Sequence, residues 1–334
     1  MSALRYLFVA ALAVAAGAPS FAGGVGEDEE STGALRVVAT TNIIADVVRN
    51  VAGDTIELET LMPPGENPHS YEPPPSALRR VEGANIVFVN GLGLEEALLD
   101  DIDQIAGGSV VSLSERIEPL AYESHDDDDH DDDHDDDHDA DDDHDDDHGH
   151  SHSEGDPHVW TDPSTILIWV DVIAETLTAS LPDQAELIRT NAESYRAELR
   201  ELDRWIRDQV EAVPQSRRKL VLDHESFRYF AAAYGFEVVG AIVPSSSDRA
   251  DPSAQDVARL VEVIREEDVA AVFVGTTASR GLQELANTVA TEANREVRII
   301  PLLTGSLARP GERGDTYIDF MRYNVEQILL GFED

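Results

Sequence analysis

Between Pro182 and Pro214 the chain runs 31 residues without a Gly or Pro. Tyr195, Leu199, Leu202, Ile206 and Val210 step by three or four places, which is one face of a helix. At a rise of about 1.5 Å per residue such a helix is about 45 Å long, the span of a whole domain. Ser180 and Asp183 are placed to close its start as a capping box. A helix of this length is either an ordinary surface helix or a spine joining two bodies, and its flanks favour the spine. Before it, strand patterns at 35–40, 55–62, 85–90 and 109–113 alternate with helical ones at 43–51, at 76–82 and from Leu94 onward. After it, strand patterns recur at 219–222, 237–243, 270–274 and 297–301, again with helices between them. Strand–helix alternation with short links predicts parallel sheets covered by helices, here in two α/β modules of similar size.

The first residues bear on the compartment. Arg5 precedes an apolar run at 7–16, and Ser20 and Ala22 stand at the −3 and −1 positions of a cleavage site. That pattern predicts a secretory signal peptide over 1–22, cleaved near Ala22, followed by a polar disordered leader at 23–33. The apolar run falls short of the roughly 20 residues of a spanning helix, and no later run reaches that length. The absence of Cys excludes disulfides, thiolate metal sites and a lipid-bearing N-terminal Cys, so a periplasmic protein is expected. A net charge of −44 argues against nucleic-acid binding, because the phosphate backbone would be repelled. The single Lys, Lys219, lies outside any Gly-Lys-Ser/Thr loop, so ATP binding through a P-loop is excluded.

The 11 histidines are the sharpest chemical signal. Eight lie in one stretch: His125, His130, His134, His138, His144, His148, His150 and His152. The other three are His69, in a loop after the second strand, His158, just before a helix that Asp162 and Pro163 can start, and His224, directly after a strand. Ligands of doubly wound sheets gather at the carboxyl ends of strands, which is where His69 and His224 stand. Asp315, in the loop before the last amphipathic helix, is either a fourth ligand or a helix cap. Three neutral imidazoles and one carboxylate would suit Zn²⁺, whereas Mn²⁺ prefers more oxygen.

Four segments carry a family resemblance. Pro68-His69-Ser70-Tyr71-Glu72-Pro73, Asp156-Pro157-His158-Val159-Trp160, the run from Asp223-His224 to Phe230, and Gly314-Asp315-Thr316-Tyr317 resemble, in order, the metal-ligand motifs of zinc/manganese solute-binding proteins of ABC importers. The resemblance implies two (βα)₄ lobes with parallel sheets, joined by one long rigid helix, with the metal in the cleft between them. The lobes would be 34–181 and 214–334, with the linking helix at 182–213. It further implies metal ligands His69, His158, His224 and Asp315, a monomer, and a membrane permease served by a separate ATPase. A histidine at position 224, where manganese members tend to place a carboxylate, points to zinc, with Mn²⁺ or another divalent ion as the alternative.

The stretch 123–155 repeats Asp-Asp-Asp-His and cannot bury a core, so it is expected to be disordered. Its eight histidines form either a set of auxiliary weak metal sites or no more than a solvated spacer. Two other functions compete with a receptor. A secreted zinc hydrolase would keep one coordination position open for water, with Glu225 beside His224 as base. His-Glu-x-x-His is absent, which weighs against it, and no enzyme activity is expected. A metal buffer would make the acidic tract the working part and the lobes its scaffold.

Overall fold

The most apolar runs become the inner strands of two sheets. In the computed structural model, which describes residues 34–121, 155–243, 252–293 and 296–333, β1 (Leu35–Ala39) and β3 (Ile86–Val89) are central. They lie between β2 (Ile56–Thr60) and β4 (Ser109–Ser112), in the order β2-β1-β3-β4. The second sheet has β5 (Lys219–Leu222) and β7 (Ala271–Gly275) at its centre and β6 (Glu237–Ala241) and β8 (Arg298–Leu302) at its edges, in the order β6-β5-β7-β8. Every pairing is parallel. Burial follows from position. All residues of β3 and β7 are buried, because helices cover both faces, while β2 alternates as an edge strand does. The two sheets repeat one strand order, within the two α/β modules that the rounds of alternation in the sequence predict.

The helices are α1 (Asn42–Ala52), α2 (Pro75–Glu82), α3 (Glu96–Ile105), α4 (Pro163–Ser180), α5 (Ala185–Val210), α6 (Arg228–Tyr234), α7 (Ala254–Glu266), α8 (Arg280–Glu292) and α9 (Tyr317–Leu330). The long helix α5 buries Ile188, Ala192, Tyr195, Leu199, Leu202, Ile206 and Val210 along one stripe. That stripe packs on α1 and α4 of the first lobe and on α6 and α9 of the second. One apolar core therefore runs from β1 through α5 to α9, while two smaller cores lie on the far faces of the sheets. The spine is thus buried against both lobes at once.

The start of the spine differs from the sequence expectation. Pro182 opens a 3₁₀ turn at Pro182–Gln184, and α5 begins at Ala185, so the continuous helix is 26 residues and about 39 Å long. The Ser180–Asp183 capping box does not form. The Ser180 hydroxyl donates back to the Thr176 carbonyl inside α4, and the α5 N-cap, Gln184, makes no side-chain cap bond. Leu181, at φ −128° and ψ 66°, breaks the path between the two helices.

The lobes also meet directly. The Asn42 amide donates to Ser306 Oγ at 2.8 Å and accepts from Leu307 N at 2.9 Å. Asp46 on α1 accepts from Tyr317 N at the start of α9, at 2.9 Å. Among the described residues no helix is long and apolar enough to cross a membrane. The predicted signal peptide, the leader and the Asp/His tract with its eight histidines lie outside the described residues, apart from Gly155.

Candidate metal centre

His69 is carried by the loop between β2 and α2, which is stiffened by Pro63, Pro64, Pro68, Pro73 and Pro74. Its backbone N–H donates to Asn67 Oδ1 at 3.0 Å, and Tyr71 OH pins the same loop to the Leu61 carbonyl at 3.1 Å. Pro68 packs on Gly305 of the second lobe. A β-carbon at Gly305 would stand 2.5 Å from Pro68 Cδ, so the close approach of the two lobes beside His69 requires glycine.

His158 precedes a 3₁₀ turn (Val159–Thr161), after which Asp162 caps α4 by accepting from Ser164 N, with Pro163 at the first helical position. His224 follows β5 by two residues. Both rings are buried, at 1% and 3% exposure, and both are held from behind by a carboxylate. Asp156 Oδ1 accepts from His158 N at 3.0 Å and from His158 Nδ1 at 2.8 Å. Asp223 Oδ1 accepts from His224 N at 2.9 Å and from His224 Nδ1 at 3.1 Å. A carboxylate only accepts, so each Nδ1 carries the hydrogen, and in the neutral ring Nε2 then presents its lone pair forward.

The three imidazoles converge. Ring centroids are 5.1 Å apart for His69–His158, 5.2 Å for His158–His224 and 5.6 Å for His69–His224. One ligand nitrogen from each lies within 4.8 Å of the other two, and His69 Nε2 is 3.0 Å from His158 Nε2. Two nitrogens bound tetrahedrally to one Zn²⁺ at about 2.0–2.1 Å stand about 3.3 Å apart, so this spacing needs only small adjustment.

Electrostatics favour a neutral His158 ring. Burial lowers the pKa of His158, outweighing the hydrogen bond and charge of Asp156 that act to raise it. Burial works against ionised Asp223 too, but the charge and hydrogen bond of His224, with the amides of Gly275 and His224, hold its carboxyl below the usual range. Asp223 Oδ2 accepts from Gly275 N at 2.7 Å, and a β-carbon at Gly275 would press on both Asp223 Oδ2 and Thr304. The result is a pocket of converging imidazole nitrogens backed by two buried carboxylates, which suits a divalent cation.

Asp315 does not join this group. Its Oδ2 accepts from Gly311 N at 2.7 Å, closing the loop before α9, and among the described residues no Asp or Glu oxygen belongs to the cluster of ligand atoms. Nor does Asp315 cap α9. Thr316 does so, accepting from Asp319 N. Glu225, the base of the hydrolase alternative, forms an ion pair with Arg228 at 3.6 Å. Sequence reasoning overlooked the orienting roles of Asp156 and Asp223, although the signal was present. Each sits one or two residues before its histidine, the reach of a side chain that bonds its own turn. The approach of Gly305 to Pro68 had no sequence signal, because it joins residues 237 positions apart.

Comparisons with known proteins agree with this geometry. The family described as zinc-uptake complex component A, periplasmic, matches residues 37–330. The manganese-binding lipoprotein MntA of Halalkalibacterium halodurans is 33% identical over 95% of this chain and 94% of its own length. The manganese ABC transporter substrate-binding lipoprotein PsaA of Streptococcus mitis is 27% identical over 91% of each chain. Among solved structures, the periplasmic zinc binding protein TroA from Treponema pallidum superposes with a TM-score of 0.77 at 26% identity, over 90% of this chain and all of that one. Family coverage of nearly all the described residues, a relative above 30% identity and the shared two-lobed fold make the assignment: this chain belongs to the ZnuA-type family of periplasmic metal-binding receptors of ABC importers, which are substrate-binding proteins and not enzymes.

Proposed function

We propose that the chain captures one Zn²⁺ ion between its lobes, on His69, His158 and His224, and delivers it from the periplasm to a membrane permease driven by a separate ATPase. The observation that carries this reading is the donor set. Three imidazole nitrogens converge, and the carboxylates bonded to two of the rings, Asp156 and Asp223, accept Nδ1 hydrogens behind them. Imidazole-rich sites favour zinc over manganese, which takes more oxygen ligands. Asp315 is left out of this donor set because its Oδ2 accepts from Gly311 N and it is not among the converging ligand atoms. The acidic tract, which ends three residues before His158 in sequence, collects cations weakly and raises their concentration at the cleft.

The second reading, a manganese receptor, is favoured by the names of the relatives MntA and PsaA. Competitive loading separates the two. The metal-free protein is offered one equivalent each of Zn²⁺ and Mn²⁺, freed of loosely bound ions, and analysed for metal. Zinc in the retained fraction supports the proposal, and retained manganese overturns it.

A further inference from the structure

The carboxylates behind the histidines have a support of their own, and it crosses between the lobes. Tyr229 lies in α6, five residues after His224, and its ring is buried at 6% exposure. Its hydroxyl donates to the Asp156 carbonyl at 2.9 Å and accepts from Leu120 N at 3.1 Å. Asp156 N donates in turn to the Leu120 carbonyl at 3.0 Å, so one phenol closes a ring of three hydrogen bonds around Asp156. The side chain of Asp156 holds His158 by two more bonds, and its backbone is held by Tyr229 and Leu120. The neighbouring Arg228 Nη2 donates to the Ala121 carbonyl at 2.7 Å, adding a second tie from the same helix to the same segment. Gly155 packs on Pro119 and Leu120 so closely that a β-carbon there would lie 2.5 Å from Pro119 Cβ.

Resting on the three-histidine reading above, we propose that Tyr229 is a positioning residue that couples the His224 loop of the second lobe to the His158 loop of the first. Its hydroxyl fixes Asp156, Asp156 fixes the His158 ring, and the separation of two metal-binding rings from different lobes is set by one side chain. The same bond clamps together the two ends of the chain that flank the acidic tract, at Leu120 and Asp156. Burial pushes the Tyr229 phenol up to about 12, so the hydroxyl stays protonated and able to donate at any physiological pH.

Tyr229→Phe removes the hydroxyl and keeps the ring. The matched control is Tyr234→Phe on the same helix, whose hydroxyl donates to Asp203 Oδ1 at 3.0 Å and touches neither loop of the site. Each full-length variant is loaded with one equivalent of Zn²⁺, and release to excess chelator is followed in time. The slow phase of the unaltered protein is the signal of the site, identified as the phase lost in His158→Ala. Outer partners of metal-bound histidines are typically worth tenfold to a hundredfold in affinity. Tyr229→Phe, one step further out, is expected to speed the slow phase about tenfold, at the lower end of that range, while Tyr234→Phe leaves it unchanged. Nitrogen-15 NMR of the histidine rings adds a readout that general loosening does not move, with the His158 Nδ1 signal shifting in Tyr229→Phe alone. Equal release from Tyr229→Phe and the unaltered protein, or equal acceleration in both Tyr variants, overturns the coupling. A slow phase that survives in His158→Ala overturns the three-histidine site instead.

Discussion

Asp223 is the side chain whose replacement separates a ligand-orienting role from a structural one. It is fully buried, and its two oxygens accept from three donors: His224 N, His224 Nδ1 and Gly275 N. Asp223→Asn keeps the shape but puts an amide where one oxygen stood. The amide then faces either Gly275 N or the two His224 donors, and in both orientations a buried N–H loses its acceptor. Leaving one such donor unsatisfied costs about 1–3 kcal/mol, so the metal-free variant is expected to lose that much stability in denaturant titration. The His224 ring also loses the charge that fixes its tautomer. Metal affinity is expected to fall tenfold to a hundredfold, the usual effect of removing an outer-shell partner. At about 1.36 kcal/mol per decade this is roughly 1.4–2.7 kcal/mol. Competition with a chromophoric chelator measures it. A variant that loses stability but binds zinc as tightly as the unaltered protein would refute the reasoning, leaving Asp223 as a tie between β5 and β7 only.

Replacing His69, His158 or His224 by Ala is expected to lower affinity by orders of magnitude in calorimetry, since each removes one of three protein ligands, and unchanged affinity at any one removes it from the site. Asp315→Ala should leave affinity nearly unchanged, because Asp315 lies outside the cluster of imidazole nitrogens, and a large loss would restore Asp315 as a ligand. The pH dependence follows from His158. Its folded pKa is lowered, so below about 6.5 the unfolded chain binds a proton that the folded chain resists. Stability of the metal-free protein should therefore decline as pH falls through that window, and zinc affinity should fall with it because protons compete for imidazole. Melting curves with and without zinc between pH 7.5 and 5.5 check both, and a metal-induced shift that stays constant would contradict an imidazole site. Removing residues 122–154, with Gly155 kept for its packing on Pro119, should abolish several weak, salt-sensitive zinc sites while sparing the tight one. Equal stoichiometry before and after would reduce the tract to a spacer.

Much of the fold was legible because its signals are local. Apolar runs such as Ile86–Val89 and Ala271–Gly275 can hardly be anything but inner strands, and the stripe from Tyr195 to Val210 declares one helix face. The spine's first turn was misjudged because Ser180 had a nearer acceptor in its own helix, and Pro182 diverted the path. The three histidines were legible as strand-end and helix-start residues. Asp315 was harder: its motif suggested a ligand, its position suggested a cap, and in the structure its Oδ2 accepts from the Gly311 amide. The contacts that bring the ligand loops together, from Tyr229 to Asp156 and from Gly305 to Pro68, join residues 73 and 237 apart and left no periodicity to read.

X-ray absorption at the zinc edge, on full-length protein carrying one equivalent of Zn²⁺, tests the central claim most directly, because it counts imidazoles at the metal. The account predicts three imidazole ligands and one further light atom, all at about 2.0–2.2 Å. A first shell dominated by carboxylate oxygen, with one imidazole or none, would mean that zinc rests on the acidic tract and that the histidine cluster between the lobes is not the site of capture.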